Sequence, residues 1–228
     1  MPENKASIPI RSFGRTGGRP LSARQQRLID ERLPALAIPE TGDPLAAFPA
    51  RPDRLWLEIG FGGGEHVAAQ AEANPDVGYL ACEVFVEGVA KCLTAVEEKG
   101  LSNVRFWTED ARQLIDRLPD SCLDRVFILF PDPWPKKKHH KRRIIQPDFL
   151  DSLARIMKPG AHLRFATDVR SYADEALQKI LAHGQFDWLA EKADDWRRPP
   201  TDHVRTRYES KNLGDIAPVF YEFSLKSS

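Results

Sequence analysis

Short apolar segments alternate with amphipathic ones along this 228-residue chain, and this alternation restricts the fold more than any other feature. Most of the apolar segments lack the period-two pattern of a half-exposed strand, so we expect strands that are buried on both faces. Helices on both sides of a parallel sheet provide such burial, and the predicted class is a doubly wound α/β fold. The sequence predicts strands at 54–60, 78–84, 104–107, 123–130 and 161–167, and helices at 65–73, 86–99, 111–118, 149–157 and 172–183.

The two ends of the chain follow different patterns. The segment 219–225 alternates in hydrophobicity, which predicts an antiparallel strand at or near a sheet edge. Residues 1–53 are predicted to hold a mobile basic N-terminal arm (1–20), a helix at 21–37 that begins at Ser22 and breaks near Pro34, and a proline-rich linker. We expect residues 54–228 to form the main domain.

Composition narrows the class of protein. Cys82, Cys92 and Cys122 form no CxxC pair, so we expect buried thiols and neither a metal site nor a disulfide. No segment reads as a secretory signal, and no apolar stretch approaches the roughly 20 residues that span a bilayer. We therefore expect a soluble cytoplasmic protein that does not bind membranes.

Basic residues are concentrated in two places, although Lys+Arg and Asp+Glu both number 33. Residues 1–28 contain six Lys or Arg and one Glu, and residues 136–143 contain six Lys or Arg and two His. Such patches attract an anionic partner, and the alternative is a charged face that contacts only solvent.

A glycine-rich loop, Glu-Ile-Gly-Phe-Gly-Gly-Gly at 58–64, joins the first predicted strand to the first predicted helix. In an open α/β sheet this turn lies at the carboxyl edge, where ligands bind. A dinucleotide pattern from Gly60 would need glycine where Glu65 stands. The loop is therefore suited to a nucleoside without a pyrophosphate, or it is only a tight turn.

Acidic residues end the same strands. Glu83 is placed to accept both hydroxyls of a ribose. Asp110 lies near the expected adenine, or serves only as a helix N-cap. Glu58 is suited to a cationic group. Three acids at neighbouring strand ends predict one polar ligand site.

The fourth predicted strand ends in Phe-Pro-Asp-Pro-Trp at 130–134, directly before the second basic segment. Pro131 and Pro133 restrict the backbone and so place the Asp132 carboxylate. Trp134 either stacks on a base or ribose or packs the loop onto the core. An acid and an aromatic ring beside a cationic patch suggest chemistry on a base within a polyanion.

The glycine loop and its acids resemble class I S-adenosylmethionine-dependent methyltransferases. The 130–134 motif, the basic residues that follow it, Ala-Thr-Asp at 166–168 and Thr-Arg-Tyr-Glu at 206–209 are similar to the tRNA (guanine-N7)-methyltransferases, from about residue 54 to the end. The resemblance implies a Rossmann-like, mostly parallel seven-stranded sheet. It also implies methyl transfer from S-adenosyl-L-methionine to N7 of guanine-46 in the tRNA variable loop, by a monomer or homodimer without a metal.

The resemblance also implies a role for each matching residue. Asp132 would be the catalytic residue and, with the acids and glycines of the loop, would frame the cofactor. The implied cofactor-binding residues are Glu58, Gly60, Gly62, Gly64, Glu83, Asp110 and Asp132; the substrate-binding residues are Lys136, Asp168, Thr206, Arg207, Tyr208 and Glu209; and the RNA-binding residues are Lys138, His139, His140, Lys141, Arg142 and Arg143.

The implied chemistry suits these residue types. N7 of guanine has a lone pair and no proton to lose, so alignment of the lone pair with the S–CH₃ bond matters more than a general base. A carboxylate from Asp132 or Asp168 accepts the N1–H and N2 amine of guanine, a donor pair that adenine lacks. The target base must be unstacked, which favours a loop of the RNA.

Three alternatives remain open on the sequence. The first is a methyltransferase that acts on a nitrogen of DNA or protein. The second is an NAD-dependent oxidoreductase, because Glu83 lies 23 residues after Gly60. The third is an RNA-binding module without activity on a methyltransferase scaffold.

Overall fold

A seven-stranded sheet forms the centre of the computed structural model, which describes residues 20–227. The sheet order is β3-β2-β1-β4-β5-β7-β6. The first five of these strands run parallel, and β7 is antiparallel to both β5 and β6. The strands are β1 (Arg54–Ile59), β2 (Val77–Cys82), β3 (Val104–Trp107), β4 (Leu123–Leu129), β5 (Met157–Thr167), β6 (Phe186–Trp188) and β7 (Val219–Leu225). The predicted doubly wound, mostly parallel seven-stranded class is confirmed.

Helices connect the parallel strands and cover both faces of the sheet. They are α1 (Ala23–Arg27), α2 (Leu33–Leu36), α3 (Glu65–Ala73), α4 (Val86–Glu98), α5 (Ala111–Arg117), α6 (Pro147–Ile156), α7 (Arg170–His183), α8 (Asp194–Arg197) and α9 (Arg207–Ser210). A π-helical turn, Leu28–Arg32, joins α1 to α2, and 3₁₀ turns form at Pro44–Ala47 and Lys137–Arg142.

Two apolar layers enclose the sheet because successive strand residues point to opposite faces. Leu57 and Ile59 of β1 pack into the layer that contains the apolar residues of α5, α6 and α7. Trp56 points the other way, into the layer that contains residues of α3 and α4. Burial on both sides explains why β2 is buried at every position and has no period-two pattern.

The strand order reverses at β1, which pairs with β2 on one side and β4 on the other. Ligands of open α/β sheets bind in the crevice beyond the carboxyl ends of the strands at such a switch point. Glu58 lies at the end of β1, Glu83 directly follows β2, and Asp132 lies in the loop after β4, so the three predicted acids share this edge of the sheet.

Local differences from the sequence prediction have physical causes. The N-terminal helix begins after Ser22, which forms a capping box with Gln25, but it continues past Pro34 to Leu36. The break predicted at Pro34 is wrong because the π-turn, in which Leu33 N–H bonds the Leu28 carbonyl, widens the helix ahead of the proline. The three-residue β6 is too short for a sequence pattern.

The structure tests one of the three remaining predictions about the organisation of the chain. The prediction for the C-terminal strand is confirmed, since β7 is antiparallel and next to the edge strand β6. The predicted basic arm lies outside the described residues, apart from Pro20. The division of the chain at residues 53 and 54 stays a prediction.

Candidate active site

A cavity of about 540 Å³ opens at the carboxyl ends of β1, β2 and β4. The predicted acids at the ends of four neighbouring strands line it: Glu58, Glu83, Asp110 and Asp132. Of the predicted glycines, Gly60 and Gly62 line the cavity and Gly64 does not. The structure therefore brings together all four acids that the sequence analysis selected.

The glycine loop shapes one wall of this cavity. Gly62 has φ +58°, a conformation that L side chains rarely adopt, and its N–H donates to Glu83 Oε2 at 2.8 Å. Gly64 is the N-cap of α3, and a Cβ there would lie 2.4 Å from Cys92 Sγ. Gly62 thus shapes the ligand side of the loop, whereas Gly64 permits close packing of α3 on α4.

Glu58 is almost fully buried, with only 2% of its surface exposed. Its Oε2 accepts the Tyr79 hydroxyl at 2.6 Å and lies 2.7 Å from His66 Nδ1. No hydrogen bond from residues 20–227 reaches its Oε1. Two bonds on one oxygen fix the carboxylate, and Glu58 lines the cavity, so Oε1 is the oxygen left for a ligand.

Glu83 and Asp110 have opposite pKa shifts. Burial raises the pKa of Glu83, although backbone N–H groups of Phe85 and Gly62 partly oppose this. Asp110 is the N-cap of α5. Burial disfavours its charged form, but the hydrogen bonds from the Arg112 side chain and backbone outweigh burial and lower the pKa of Asp110. Asp110 is therefore both an N-cap and a cavity residue.

The Asp132 loop leaves β4 through strained backbone. Phe130 and Trp134 have φ +52° and +44°, values that cost energy in any residue with a Cβ and that cluster at functional sites. Asp132 is exposed by area, yet the cavity walls remove enough water to raise its pKa by desolvation. No donor within 20–227 contacts its carboxylate, so the acid is available to a ligand.

Trp134 packs on the basic segment. The Arg142 guanidinium lies 5.0 Å from the centre of the Trp134 ring, and the His139 ring meets it edge-on at 6.0 Å. Trp134 also lines the cavity. Trp134 therefore packs against the Lys137–Arg142 turn, a contact that the sequence analysis did not predict. Stacking of this ring on a base or ribose stays a prediction.

The 206–209 motif contributes three residues to the cavity wall, and the fourth has a different role. Thr206, Arg207 and Tyr208 line the cavity. Glu209 does not, because it closes a capping box on Thr206 and lies 2.9 Å from His203 Nε2. Arg207 forms an ion pair with Glu65 at 3.0 Å.

Two other predicted substrate residues lie outside the cavity lining. Asp168 is buried and accepts the Tyr208 hydroxyl at 3.3 Å. Burial is the largest cause that raises the pKa of Tyr208 to about 12, and the charge and hydrogen bond of Asp168 add to it. Lys136 is exposed and is the N-cap residue of the 3₁₀ turn Lys137–Arg142. Asp168 is therefore placed to act through Tyr208.

The predicted RNA-binding residues fall into two groups. Lys141, Arg142 and Arg143 line the cavity, whereas Lys138, His139 and His140 lie beyond its lining. Lys138 and Lys141 are exposed. His140 Nδ1 lies 3.2 Å from Glu175, which directs that ring toward α7.

Arg143 corrects the sequence prediction. Its side chain is fully buried, and it donates to the carbonyls of Pro133 and Ser171, to the Ser171 hydroxyl and to Glu175. The guanidinium also stacks over Tyr172 at 4.7 Å. A side chain so enclosed is not available to phosphate. Arg143 instead fastens the Asp132 loop to α7.

We expect Arg143→Met to lower the free energy of unfolding by about 3 kcal/mol, because it removes a buried cation and takes a donor away from all four acceptors named above. Chemical denaturation would measure this change. Lys141→Met removes an exposed cation from the same segment and is expected to change stability by less than about 0.5 kcal/mol. Equal stabilities of the two variants would contradict the buried anchor.

Sequence reasoning did not select the partners that hold the acids. Tyr79 and His66 fix Glu58, Arg112 pairs with Asp110, and Glu65 pairs with Arg207. Arg112 had a local signal, since it lies two residues from Asp110. Tyr79 had none, because a polar ring inside a buried strand resembles any other core aromatic.

Two observations on residues 20–227 concern metal clusters and membrane-spanning helices. There, no cluster of three or more His, Cys, Asp or Glu side chains is arranged to hold a metal ion. Nor does any helix in that range have the length and apolarity that a membrane crossing requires.

Comparison with known sequences shows similarity over nearly the whole chain. The profile of the family described as "Putative methyltransferase" matches residues 52–220. A tRNA (guanine-N(7)-)-methyltransferase of Hyphomonas neptunium is 60% identical, with 95% of this chain and all of that protein covered. Proteins of the same name from Caulobacter vibrioides and Rhodospirillum rubrum are 54% and 50% identical, with 95% and 93% of this chain and 95% and 86% of theirs covered.

Solved structures share the architecture at low sequence identity. The precorrin-6y C5,15-methyltransferase of Geobacter metallireducens superposes with a TM-score of 0.53 at 16% identity and covers 93% of each chain. The 16S rRNA methyltransferase KamB superposes with a TM-score of 0.50 at 18% identity, over 77% of this chain and 89% of that one. Both likenesses concern the fold alone.

Proposed function

The chain belongs to the tRNA (guanine-N(7)-)-methyltransferase family, and from that premise we propose that it methylates N7 of guanine-46 in the variable loop of tRNA. It is an enzyme of tRNA modification that uses S-adenosyl-L-methionine on a Rossmann-like fold. Position 46, in-line transfer and the roles of individual carboxylates are our proposal. The observation that carries it is one cavity in which Glu58, Glu83 and Asp132 face the 206–208 wall.

The residues of the cavity fit S-adenosyl-L-methionine. Its volume of about 540 Å³ is in the range of small-molecule sites, and its acids suit a ligand with a ribose, an amino group and a sulfonium. Glu83 would accept the ribose hydroxyls while Gly62 and Phe85 hold its carboxylate in place. The free Oε1 of Glu58 would accept from the cationic amino-acid end, and Asp110 would border the adenine.

We assign recognition of guanine to Asp132. Its carboxylate lines the cavity without a donor from the described chain, so both oxygens are available to the N1–H and N2 amine of guanine. Adenine would leave this partly desolvated acid without donors, which disfavours it. Asp168 lies behind Tyr208 and would position that ring through the 3.3 Å hydrogen bond.

S-adenosyl-L-methionine supplies the reaction with a methyl group on a positively charged sulfur. The chain does not need to remove a proton from the base, because N7 of guanine has none. Asp132, Tyr208 and the ends of β1 and β2 would hold the base and the cofactor on opposite sides of one cavity. Alignment of this kind contributes several powers of ten to a rate without a general base.

The Lys137–Arg142 turn would bind the phosphates beside the target base. We expect Lys138→Ala/Lys141→Ala to weaken tRNA binding and to reduce the slope of log K against log salt concentration by roughly 1.5, since each lost phosphate contact removes about 0.7–0.9. Filter binding from low to high salt would measure it. Lys211→Ala, an exposed lysine outside the turn, is the control and should leave the slope unchanged. An unchanged slope in the double variant would exclude this surface.

Methylation of bulk tRNA with labelled S-adenosyl-L-methionine, followed by mapping of the modified base, tests the proposed function. We expect label at N7 of guanine-46. A transcript with adenine at that position should accept none, and label at another guanine would reject the assignment of position 46.

We further propose that the enzyme works in the cytoplasm, with its tRNA substrate, as a monomer or homodimer. Residues 54–228 would carry the catalytic domain, and residues 1–53 would add the basic segment that meets the RNA.

A further inference from the structure

Two buried histidine side chains lie outside the cavity lining, one beside Glu58 and one beside Glu209. The His66 ring of α3 meets the edge of Phe127 at 4.8 Å, and the His203 ring meets Phe220 at 4.7 Å. Their side chains are 1% and 4% exposed. The ring centres lie 6.5 Å apart, with 37° between the planes. The family resemblance assigned neither residue a role.

Each histidine holds one carboxylate of the site. His66 Nδ1 lies 2.7 Å from Glu58 Oε2, and His203 Nε2 lies 2.9 Å from Glu209 Oε1. An ionised carboxylate only accepts hydrogen bonds, so the nitrogen that faces it carries the hydrogen. As neutral rings, His66 would be the Nδ1–H tautomer and His203 the Nε2–H tautomer. In those tautomers the remaining nitrogens, His66 Nε2 and His203 Nδ1, present lone pairs.

These two lone pairs are buried, and neither has a hydrogen-bond partner within residues 20–227. A buried acceptor without a donor is costly, and buried water is the usual remedy. One water has two hydrogens and can donate one to each ring. The ring centres are 6.5 Å apart, which is close enough for one water molecule to contact both rings.

A hydrogen bond between neighbouring residues fixes the position of one histidine relative to the other. Gln70, one turn after His66 on α3, donates its side-chain amide to the carbonyl of Asp202 at 2.6 Å. Asp202 precedes His203 and forms ion pairs with Arg125 and Arg164. The segment that carries His203 is thereby fixed to α3 and to the sheet.

We propose that His66 and His203, bridged by one buried water, are positioning residues that couple the cofactor carboxylate Glu58 to the substrate-side turn at 206–209. The inference rests on the proposed function for the roles of those two elements. The connection runs from Glu58 through both rings to Glu209, whose Oε2 accepts the Thr206 N–H at 2.8 Å. Coupling of this kind is reciprocal, so each ligand should change the affinity for the other by the same factor. We expect that change to be an increase, because each ligand would hold its own carboxylate, Glu58 or Glu209, in place.

Two substitutions cut the connection while they keep each carboxylate's donor. Asparagine places its amide nitrogen near the position of histidine Nδ1, and glutamine places its own near Nε2. His66→Asn therefore retains the bond to Glu58 and loses the bridging nitrogen. His203→Gln retains the bond to Glu209 and loses its bridging nitrogen.

Each substitution is expected to weaken binding of the ligand that lies nearer to the other histidine. His203→Gln should weaken binding of S-adenosylhomocysteine, measured by calorimetry, by about fivefold or more. His66→Asn should raise the KM for tRNA by a similar factor at saturating cofactor, with little change in kcat. The double variant should be no worse than the more affected single variant, because the connection is already cut.

His183→Gln is the matched control. His183 Nε2 lies 2.9 Å from Asp151, its Nδ1 is buried without a partner in the described chain, and α7 holds it outside the cavity lining. This variant should change both measurements by less than twofold. Single variants that affect only their own side of the cavity, or effects that multiply in the double variant, would overturn the coupling.

Nitrogen-15 NMR of histidine-labelled protein gives an independent test. We expect the Nδ1–H tautomer at His66 and the Nε2–H tautomer at His203, and the reverse at either ring would overturn the bridge. Calorimetry and tautomers do not depend on which base is methylated. A mapping result other than guanine-46 would therefore reject that part of the proposed function and leave this test interpretable.

Discussion

Asp132→Asn is expected to lower kcat/KM for tRNA methylation by about 10³-fold. The substitution keeps the size of the side chain and replaces one acceptor oxygen with a donor, so only one of the two guanine donors is still paired. Single-turnover methylation at saturating cofactor would measure the loss. Because Asp132 lines the cavity and no described residue donates to it, the effect should concern the base more than the fold.

The pH profile adds a second signature of Asp132. Desolvation raises the pKa of this carboxyl, and recognition of guanine requires its ionised form. Activity should therefore fall on acidification at a higher pH than an ordinary aspartate would give, and Asp132→Asn should flatten this acidic limb. Glu109→Gln, an exposed acid of the same cavity, should remain within twofold of the unmodified enzyme. A wild-type rate in Asp132→Asn would refute the assignment.

Glu58→Gln is expected to weaken S-adenosyl-L-methionine binding by about 100-fold with little loss of stability. Tyr79 and His66 both bond Oε2, so a glutamine oxygen in that position keeps the two buried donors paired. The amide nitrogen then replaces Oε1 and presents a donor to a cationic ligand. Loss of a charge-assisted hydrogen bond and its reversal to repulsion account for the size of the effect. Isothermal calorimetry would measure it.

Glu58→Ala separates binding from folding. This variant should lose the same affinity and, in addition, about 2–4 kcal/mol of unfolding free energy, because the Tyr79 hydroxyl and the His66 N–H are left buried without an acceptor. Chemical denaturation of Glu58→Gln and Glu58→Ala would measure the difference in their unfolding free energies. Wild-type affinity in Glu58→Gln would show that Oε1 does not meet the cofactor.

Much of the candidate site could be predicted from local sequence. Parallel strands end at one edge of a sheet, so acids at the ends of successive strands converge whatever the details of packing. Glu58, Glu83 and Asp132 were predicted on this basis, and they line one cavity. Helix ends with local signals were predicted equally well, such as the end of the helix predicted at 86–99, which is followed by Gly100 with φ +63°.

Residues whose role depends on distant partners could not be predicted in this way. Arg143 lies in a run of cations that looks uniform in sequence, yet its side chain is enclosed by α7 while Lys141 is exposed. Glu209 belongs to a motif that implied substrate contact, but it faces His203 and caps its own helix. In both cases the side chain is buried against a partner that is not its neighbour in the motif, and that partner decides its role.

The sequence by itself determined the fold class and the set of acids at the ligand edge, because strand periodicity and chain order are properties of neighbouring residues. Only the tertiary structure decided which cation is buried as an anchor, which acid closes a capping box and which histidines lie near each other. Those outcomes depend on contacts between residues far apart in the chain, as between His66 and His203. Burial removes the water that would otherwise satisfy each polar group, so the partner supplied by the fold determines what that group can do.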